Sequence, residues 1–467
     1  MDSRYRSLWT RGNEIFDGID HDAALVEMVK KGTLDAILDF PSKSKDEIAA
    51  YQLKKLSKLA DHAYTNIPLY KKKYSAVGFR PGDIKTFQDF EQLPILYKDE
   101  VIRGFPNDIV RNPGDFANQS GELIDPGDYR FSIRSSGSSG QFVTMAVDLN
   151  AIYTDTLQGI RQFLRQSDFQ YKEQDGMLFI YTCPWWVNNI GGGYNMDYLP
   201  TTTDPIVALE HIKRTNPKVL STYPTYLQKL CELEAKLSEF GVSHAIVHSE
   251  QSTKKSRNAM AEQLGIKVYD EFSSEELTRI ALECDGDNYH LEEDACYTEV
   301  IDPHTKRRID KGEGLVVGTN LLNTATPFIR YHQGDVVSID SDAECGCGNN
   351  GRIISGIQGR EQDFITLPSG MSIPPTAFMD TAYGWFLDRQ IPVHGMKYQI
   401  VQTTPNSLEV RLSPGKYELA QEDFNKIRES MHQLVGKEMT VNINFDQFTQ
   451  TSAKHKPVVN AIDRQNY

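Results

Sequence analysis

The sequence has little that would place the protein in a membrane or outside the cell. No apolar run approaches the ~20 residues that a membrane-spanning helix needs. The polar beginning, from Met1 to Arg6, has no apolar core behind it, so neither a secretory signal nor a membrane anchor is expected. The six cysteines of this 467-residue chain have no regular spacing. This spacing argues against a disulfide framework and predicts a reducing, cytoplasmic location.

Positive charge is also scarce. The chain has 50 lysines and arginines against 64 acidic residues, a formal net charge of −14. We therefore expect neither a nucleic acid nor an anionic membrane as the main partner, and anionic ligands must be captured by local features. The hydrophobic content of 39% is typical of a globular protein, and the length predicts two or three domains.

A Walker phosphate loop is missing, although one segment has other features of a phosphate site. Between two apolar runs stand six small residues, Ser135, Ser136, Gly137, Ser138, Ser139 and Gly140. Their backbone N–H groups and hydroxyls could surround an anion. Gln141 and Phe142 occupy the places where a Walker loop has lysine and a hydroxyl residue. By itself, such a segment is more often a flexible turn than a phosphate site.

Hydrophobic patterns predict an α/β core. An amphipathic helix is expected over 48–63, ahead of the proline at 68. From about residue 130, short apolar runs such as 177–181 and 219–223 alternate with helical patterns. The helical patterns cover 151–164, 205–213 and 225–239. Alternation of this kind predicts strands and helices packed in layers.

The pattern changes after Arg360. Two strand-like runs, 398–403 and 408–412, precede a helical stretch at 418–435 and a strand at 440–444. We therefore predict an α/β fold with a large multi-layer N-terminal domain and a small α+β C-terminal domain. The expected boundaries are 1–360, including a helical head over about 1–110, and 361–467.

Several segments, in this order, resemble one known family. They are 66–70 (NIPLY), 90–95 (FEQLPI), the small-residue loop, 327–335 (PFIRYHQGD), 359–363 (GREQD) and 451–456 (TSAKHK). The chain thus resembles adenylate-forming enzymes of the phenylacetate-CoA ligase type over most of its length. The resemblance implies a large domain that carries the nucleotide and a mobile C-terminal domain that rotates about a hinge at 361–363 between half-reactions.

The resemblance also implies the chemistry. A carboxylic acid would attack the α-phosphorus of ATP with Mg²⁺ present, giving an acyl-adenylate and pyrophosphate. A thiol, most simply that of coenzyme A, would then displace AMP. A carrier-protein thiol or an amine is an alternative acceptor, and a noncatalytic nucleotide-binding scaffold of the same fold is an alternative function. The oligomeric state stays open, with a homodimer among the alternatives.

Family roles are implied for four residues around the nucleotide. Asp335 would accept both ribose hydroxyls, and Arg360 would contact the ribose or the phosphates. Phe272 would stack on adenine, with Ser274 close by in the same segment. The alternatives are a tight strand turn for Asp335 and a surface ion pair for Arg360.

The magnesium ligand is left between Glu275 and Glu276. Counting from Phe272 favours Glu276, whereas treating Ser274 and Glu275 as the family's hydroxyl-glutamate pair favours Glu275. Either carboxylate would suit a hard cation. Ser273 stands in place of the family's usual glycine, and an acidic helix start capped by Ser274 is the alternative structure.

The C-terminal segment implies a catalytic lysine. Lys454 would reach the α-phosphate and the acid carboxylate and offset charge that develops during adenylation. Ala453 replaces the glycine of the family element, and Lys456 is a near neighbour that could take the same role. A solvated polar tail is the alternative.

A structural zinc site is a further expectation. Cys284, His290, Cys345 and Cys347 resemble the zinc-binding elements of some family members, and three thiolates with one imidazole would complete a closed tetrahedral site. Unpaired thiols are the alternative, and we expect that state for the three remaining cysteines, Cys183, Cys231 and Cys296.

The acid is specified less closely. Segment 184–194 contains two tryptophans and three glycines where the family builds its acyl pocket, which predicts an aromatic or apolar acid. No acidic residue occurs in that segment, and this argues against a free α-amino acid. Gln141 stands in place of a family lysine, so weaker ATP binding than in a standard member is expected.

Overall fold

The structure is a computed structural model in which residues 21–113, 130–135, 142–182, 187–391, 396–413, 415, 417–445 and 455–462 are described. For 130–134 the description covers the backbone alone. The N-terminal head is helical, with α1 (His21–Lys30), α2 (Thr33–Asp39), α3 (Lys45–Asn66), α4 (Pro68–Ala76), α5 (Phe87–Glu91) and α6 (Lys98–Gly104).

Helix α3 confirms the predicted amphipathic helix over 48–63. Its start is fixed by a capping box, in which Ser44 Oγ accepts from Glu47 N and the Glu47 carboxylate accepts from Ser44 N. It ends before Pro68, which cannot continue the hydrogen-bond ladder. The buried stripe of α3 joins a core with other head helices and with the strands that follow residue 277.

A β-hairpin carries the small-residue loop. Strands β1 (Arg130–Arg134) and β2 (Thr144–Asp148) pair antiparallel, and the loop lies between them. Helix α7 (Leu149–Gln166) follows at once, capped by Asp148, whose side chain accepts from Ala151 N.

The first half of the large sheet is parallel. Its strands are β3 (Met177–Tyr181), β4 (Met196–Pro200), β5 (Val219–Thr222), β6 (His244–His248) and β7 (Lys267–Ser274). Side chains alternate between its faces: Val219 and Ile246 pack with α7, whereas Leu220 and Ala245 pack on the opposite side. That opposite side is covered by α8 (Pro205–Thr215), α9 (Pro224–Cys231) and α10 (Lys254–Leu264).

The second half of the sheet is antiparallel. It contains β8 (Thr278–Glu283), β9 (Tyr289–Leu291), β10 (Cys296–Ile301), β11 (Lys311–Asn320), β12 (Tyr331–Asp340) and β13 (Ile353–Arg360). The eleven strands stand in the order β10-β11-β12-β13-β9-β8-β7-β6-β5-β3-β4. The predicted α/β class with a large N-terminal part is confirmed.

The C-terminal part has its own sheet and core. It contains β14 (Ile365–Thr366), β15 (Ser372–Ile373), α11 (Pro375–Tyr383), β16 (Lys397–Thr404), β17 (Ser407–Ser413), α12 (Gln421–Val435), β18 (Thr440–Asn444) and β19 (Val458–Asn460). Four of the strands form a sheet in the order β18-β17-β16-β19, which covers the predicted ββαβ pattern. Trp385, Phe386 and Ile427 belong to a hydrophobic core made entirely of residues after 364.

One local prediction is wrong. The helix expected over 225–239 ends at Cys231, and Glu234, just beyond it, adopts a φ of 55°, outside the right-handed helical region. Within the 327–335 segment, β12 begins at Tyr331. Arg330 has a φ of 51°, and its guanidinium turns inward to pair with buried Glu299 at 2.8 Å.

Candidate active site

A cleft of about 480 Å³ opens at the carboxyl end of the parallel strands. Thr182, Ser221, Ser249 and Ser274 lie on it, at or just after the ends of β3, β5, β6 and β7. Ligands of open α/β sheets bind at this edge, because the loops after parallel strands meet there. Helix α7, the β12–β13 pair and residues 455–458 form the other walls.

Asp335 and Arg360 meet on this cleft. They are opposite each other in the β12–β13 register, and Arg360 Nε lies 3.3 Å from Asp335 Oδ1. Burial raises the pKa of Asp335, and the Arg360 guanidinium partly offsets that effect. The pair can offer a nucleotide a carboxylate for hydroxyl groups beside a cation for phosphates.

The structure separates the two candidate magnesium ligands. Both glutamates line the cleft, but Glu276 is 8% exposed whereas Glu275 is exposed. Tyr331 Oη donates to Glu276 Oε1 at 3.4 Å. Burial raises the pKa of Glu276, and its backbone amide, Arg360 and Lys98 oppose that rise. Glu276 is thus the carboxylate held in place beside Asp335 and Arg360.

The segment before these glutamates is a strand, so the alternative of an acidic helix start is wrong. Phe272 lies half-buried in β7 on the cleft, and the chain turns after Ser274 into antiparallel β8. Ser274 Oγ accepts from Leu277 N at 3.1 Å and donates to Gln333 Oε1 at 3.3 Å. Ser274 therefore fixes the β7–β8 turn and does not cap a helix.

Ser135 is the described residue of the predicted phosphate loop. It lines the cleft, its N–H donates to Val143 O at 2.9 Å, and its Oγ accepts from Val143 N at 3.0 Å. The rest of the predicted loop, Ser136, Gly137, Ser138, Ser139 and Gly140, lies outside the described residues, as does Gln141. Ser135 thus places the start of the predicted loop on the cleft.

The predicted lysine of the C-terminal segment, Lys454, also lies outside the described residues. Its neighbours reach the cleft: the Lys456 Nζ lies 3.2 Å from Asp363 Oδ2, and His455 N donates to Glu250 Oε1 at 3.1 Å. The C-terminal part therefore contacts both the 361–363 turn and the loop after β6.

Sequence reasoning missed Lys98. This lysine is the first residue of α6 in the helical head and lines the cleft. Burial lowers its pKa, Glu276 opposes that shift, and Arg360 and Lys456 add to it. The one sequence signal was its position three residues after the 90–95 segment, and nothing in that spacing shows that α6 reaches the cleft.

Sequence reasoning also missed three charged residues at the inner end of the cleft. Asp155 of α7, Glu271 of β7 and Arg279 of β8 all line it. Asp155 lies far along the chain from Glu271 and Arg279, which belong to the paired strands β7 and β8. The three residues carry no motif, and only the tertiary structure brings Asp155 to the other two.

The four predicted zinc ligands converge. One ligand atom from each of Cys284, His290, Cys345 and Cys347 lies within 4.8 Å of the others. The His290 Nδ1 is 3.2 Å from Gly351 O, which leaves Nε2 to face the sulfurs. A Cβ at Gly286 would lie 2.9 Å from Cys345 Sγ, so glycine there leaves room for the cluster. Three thiols and an imidazole are a donor set that fits zinc.

This cluster of four ligands does not line the cleft. Cys284 follows β8 at the end away from the β7–β8 turn, and the loop bearing Cys345 and Cys347 joins the far ends of β12 and β13. A metal there would tie the β8–β9 hairpin to the β12–β13 connection.

Comparison with known proteins finds relatives in sequence and in fold. No protein-family profile matches the chain. The chain is 25% identical over 379 residues to phenylacetate-coenzyme A ligase of Pseudomonas putida, covering 76% of this chain and 78% of that protein. The protein of the same name from Escherichia coli strain K12 is 25% identical over 365 residues, covering 75% and 78%.

Solved structures show the same fold. A crystal structure of 2-hydroxyisobutyryl-CoA ligase in the postadenylation state has a TM-score of 0.70 at 19% identity, covering 91% of this chain and 92% of that one. In its thioesterification state the same enzyme gives a TM-score of 0.58. None of the helices described here is long and apolar enough to cross a membrane. The chain is thus similar in sequence to phenylacetate-coenzyme A ligases and shares its fold with 2-hydroxyisobutyryl-CoA ligase.

Proposed function

We infer that this protein is an AMP-forming ligase that joins a carboxylic acid to coenzyme A. In the first half-reaction the acid carboxylate attacks the α-phosphorus of Mg-ATP, giving acyl-AMP and pyrophosphate. In the second, the thiol sulfur attacks the acyl carbonyl and AMP leaves. The observation that carries this proposal is the meeting of Asp335, Arg360 and Glu276 on one cleft, in a chain related to phenylacetate-CoA ligases.

We propose the following roles at the nucleotide end. Asp335 accepts the ribose hydroxyls, and Arg360, held beside it, binds the ribose or the phosphates. Phe272 stacks on adenine. Ser135 and the loop after it bind phosphate oxygens. Catalysis is mostly positioning and charge neutralisation, because the proposed reaction forms no covalent bond between the protein and the substrate.

Glu276 is the carboxylate we propose for Mg²⁺. Its burial and its contact with Tyr331 favour it over the exposed Glu275. When bound, the cation would neutralise phosphate charge, and Glu276 would hold it near the Asp335–Arg360 pair.

Lys98 supplies a second cation at this end of the cleft. Gln141 lacks the charge of the family's loop lysine, and Lys98 lines the same cleft from the head. We therefore propose that Lys98 contacts the phosphates of ATP and offsets part of the charge that Gln141 does not supply.

The C-terminal part, 361–467, is proposed to be a mobile domain that brings Lys454 to the α-phosphate during adenylation. The contacts of Lys456 and His455 support this, because these two residues follow Lys454 in the sequence and lie on the cleft.

The four-ligand cluster is proposed to bind a structural zinc ion. The scarcity of cysteine supports a cytoplasmic location.

The test is acid-dependent release of pyrophosphate from Mg-ATP across a panel of aryl, fatty and hydroxy acids. We expect release with at least one acid, and loss of about a hundredfold in Lys454→Ala, because a cation aimed at the reacting phosphate is removed. Lys456→Ala is the matched control and should lose less. ATP binding without release for any acid would instead support a noncatalytic scaffold.

A further inference from the structure

The inner part of the cleft lies between α7 and the sheet face that α7 covers. One side is apolar, formed by Phe163 of α7 and by Met177, Phe179 and Met196 of the sheet. This surface suits the hydrocarbon body of an acid. It does not by itself choose between acids.

The other side is a polar wall made of Asp155, Glu271 and Arg279. Arg279 Nη1 donates to Glu271 Oε2 at 2.8 Å, and its Nε lies 3.3 Å from Asp155 Oδ1. The three side chains are 11–14% exposed, and all three line the cleft. They therefore lie on the surface of the cleft with little exposure to bulk water.

The chain makes room for this wall. A Cβ at position 159 would lie 3.0 Å from Arg279 Nη2, so Gly159 lets the guanidinium lie against α7. Thr278 Oγ1 also donates to Asp155 Oδ1 at 2.6 Å, which fixes that carboxylate. The wall is thus held from both α7 and β8.

The wall carries more negative than positive charge. Two carboxylates share one guanidinium, which leaves one excess negative charge on these three residues. Burial alone would raise the pKa of Glu271, but Arg279 and then His248 outweigh it, so this carboxylate stays ionised near neutral pH. A ligand that donates hydrogen bonds would meet carboxylate acceptors on this wall, and a positive charge on the ligand would balance the excess negative charge.

His248 completes this part of the cleft. It lies opposite Glu271 in the β6–β7 register, and its ring nitrogens lie 2.9 Å from Ser249 Oγ and 3.1 Å from Ser221 Oγ. Its ring faces Phe179 at 5.8 Å between centroids. The imidazole is thus oriented by two hydroxyls beside the apolar surface.

We propose that the acid substrate carries an amino group at the end remote from its carboxylate, and that Asp155 and Glu271 accept the N–H groups of that amine. The inference rests on the proposed ligase function and narrows its substrate class. It is compatible with the argument against a free α-amino acid, because the amine is placed at the inner end of the cleft and not beside the reacting carboxylate.

The experiment compares acids that differ in one amino group. Acid-dependent pyrophosphate release by the full chain is measured for para-aminophenylacetate against phenylacetate, and for 6-aminohexanoate against hexanoate. In at least one pair, we expect the amino-substituted acid to have a kcat/KM about tenfold higher than the unsubstituted acid. A site built around hydrogen-bond acceptors rejects a ligand that lacks the hydrogen-bond donor. The amino group of the aromatic acid is neutral near neutral pH, and that of the aliphatic acid is cationic. The two pairs therefore test recognition of a neutral amine and of a charged amine.

Two variants test the wall itself. Asp155→Asn and Glu271→Gln should each lower the ratio of kcat/KM between the paired acids by about tenfold, with the KM for ATP changed far less. Glu210→Gln is the matched control, because it removes the same charge from an exposed position of α8 outside the cleft. Circular dichroism and melting curves establish that each variant is folded. Should one variant be unfolded, the other still decides the outcome.

The outcomes separate this inference from the proposed function. If the unsubstituted acids give pyrophosphate release with a kcat/KM equal to or above that of the amino-substituted acids, the proposed amino specificity is overturned. The proposed ligase function is not affected by that result. A preference that survives in both wall variants overturns the assignment to Asp155 and Glu271. No release with any acid overturns the proposed function and this inference together.

Discussion

Glu276 and Glu275 are adjacent in the chain but lie in different environments. Glu276 is buried beside Tyr331, whereas Glu275 is exposed. We expect Glu276→Gln to slow acid-dependent pyrophosphate release by about a hundredfold, because it removes the carboxylate proposed to hold Mg²⁺. Glu275→Gln, the matched control, should cost less than about threefold. A larger loss in Glu275→Gln would reverse the assignment.

Asp270 predicts a pH-dependent stability. Burial raises the pKa of Asp270 to about 6, and Arg257, whose Nη1 lies 3.5 Å from Asp270 Oδ2, opposes that shift. A raised pKa means that the fold prefers the protonated form. The stabilisation from Asp270 is therefore fully present below the ordinary pKa of 3.8 and is lost as the pH rises through about 6.

Asp270→Asn keeps this side chain neutral at every pH, and its amide oxygen can still accept from Tyr289 Oη. We expect the variant to melt at a higher temperature than the parent at about pH 7.5, with the difference vanishing near about pH 4. Melting curves across this range measure it, with Glu210→Gln as an exposed control. Parallel curves for parent and Asp270→Asn would contradict the prediction.

At the scale of elements, the four-ligand cluster joins two separate connections of the large sheet. Glu283 and Tyr289, the neighbours of ligands Cys284 and His290, both contact Arg257, with distances of 2.9 Å and 3.0 Å. A metal at the cluster would therefore also steady the network behind Asp270.

We expect the purified protein to contain about one zinc ion per chain, and Cys345→Ala to lose it with a fall in melting temperature of more than about 5 °C. Zinc content by elemental analysis and melting curves measure the two effects. Cys231→Ala, which removes a buried thiol of α9 outside the cluster, should keep the metal. Zinc retained in Cys345→Ala would argue against the cluster.

At the scale of the whole molecule, Gly359 stands where the large sheet passes into the C-terminal part. Its φ is 120°, and a Cβ there would lie 2.9 Å from Pro375 Cγ and 3.0 Å from Gln251 Nε2. Glycine is therefore required both by the backbone and by the close approach of two elements.

Gly359→Ala should slow acid-dependent pyrophosphate release by about tenfold, because a displaced junction would move the C-terminal part relative to the cleft. Gly370→Ala is the matched control: it has a φ of 83° in the β14–β15 turn, but a Cβ there meets nothing within 4 Å. Equal losses in the two variants would attribute the effect to backbone strain alone.

Much of the fold was predictable because local patterns decide it. The apolar run 177–181 is β3, whose side chains are buried on both faces of the sheet. The predicted strand 440–444 is β18, in which exposed and buried side chains alternate at the start. Residues with positive φ were not predictable: Glu234 lies just beyond the end of α9, and Arg330 lies just before β12, where its guanidinium pairs with buried Glu299.

The sequence by itself determined the α/β class, the ordered motifs and the four residues of the proposed zinc site, because these depend on periodicity and residue chemistry. It also predicted the two-part organisation. The tertiary structure decided which of two adjacent glutamates is buried, brought Lys98 to the cleft, and assembled Asp155, Glu271 and Arg279 into one wall. Those outcomes depend on strand order and on burial, since residues from distant elements meet only when the sheet has formed.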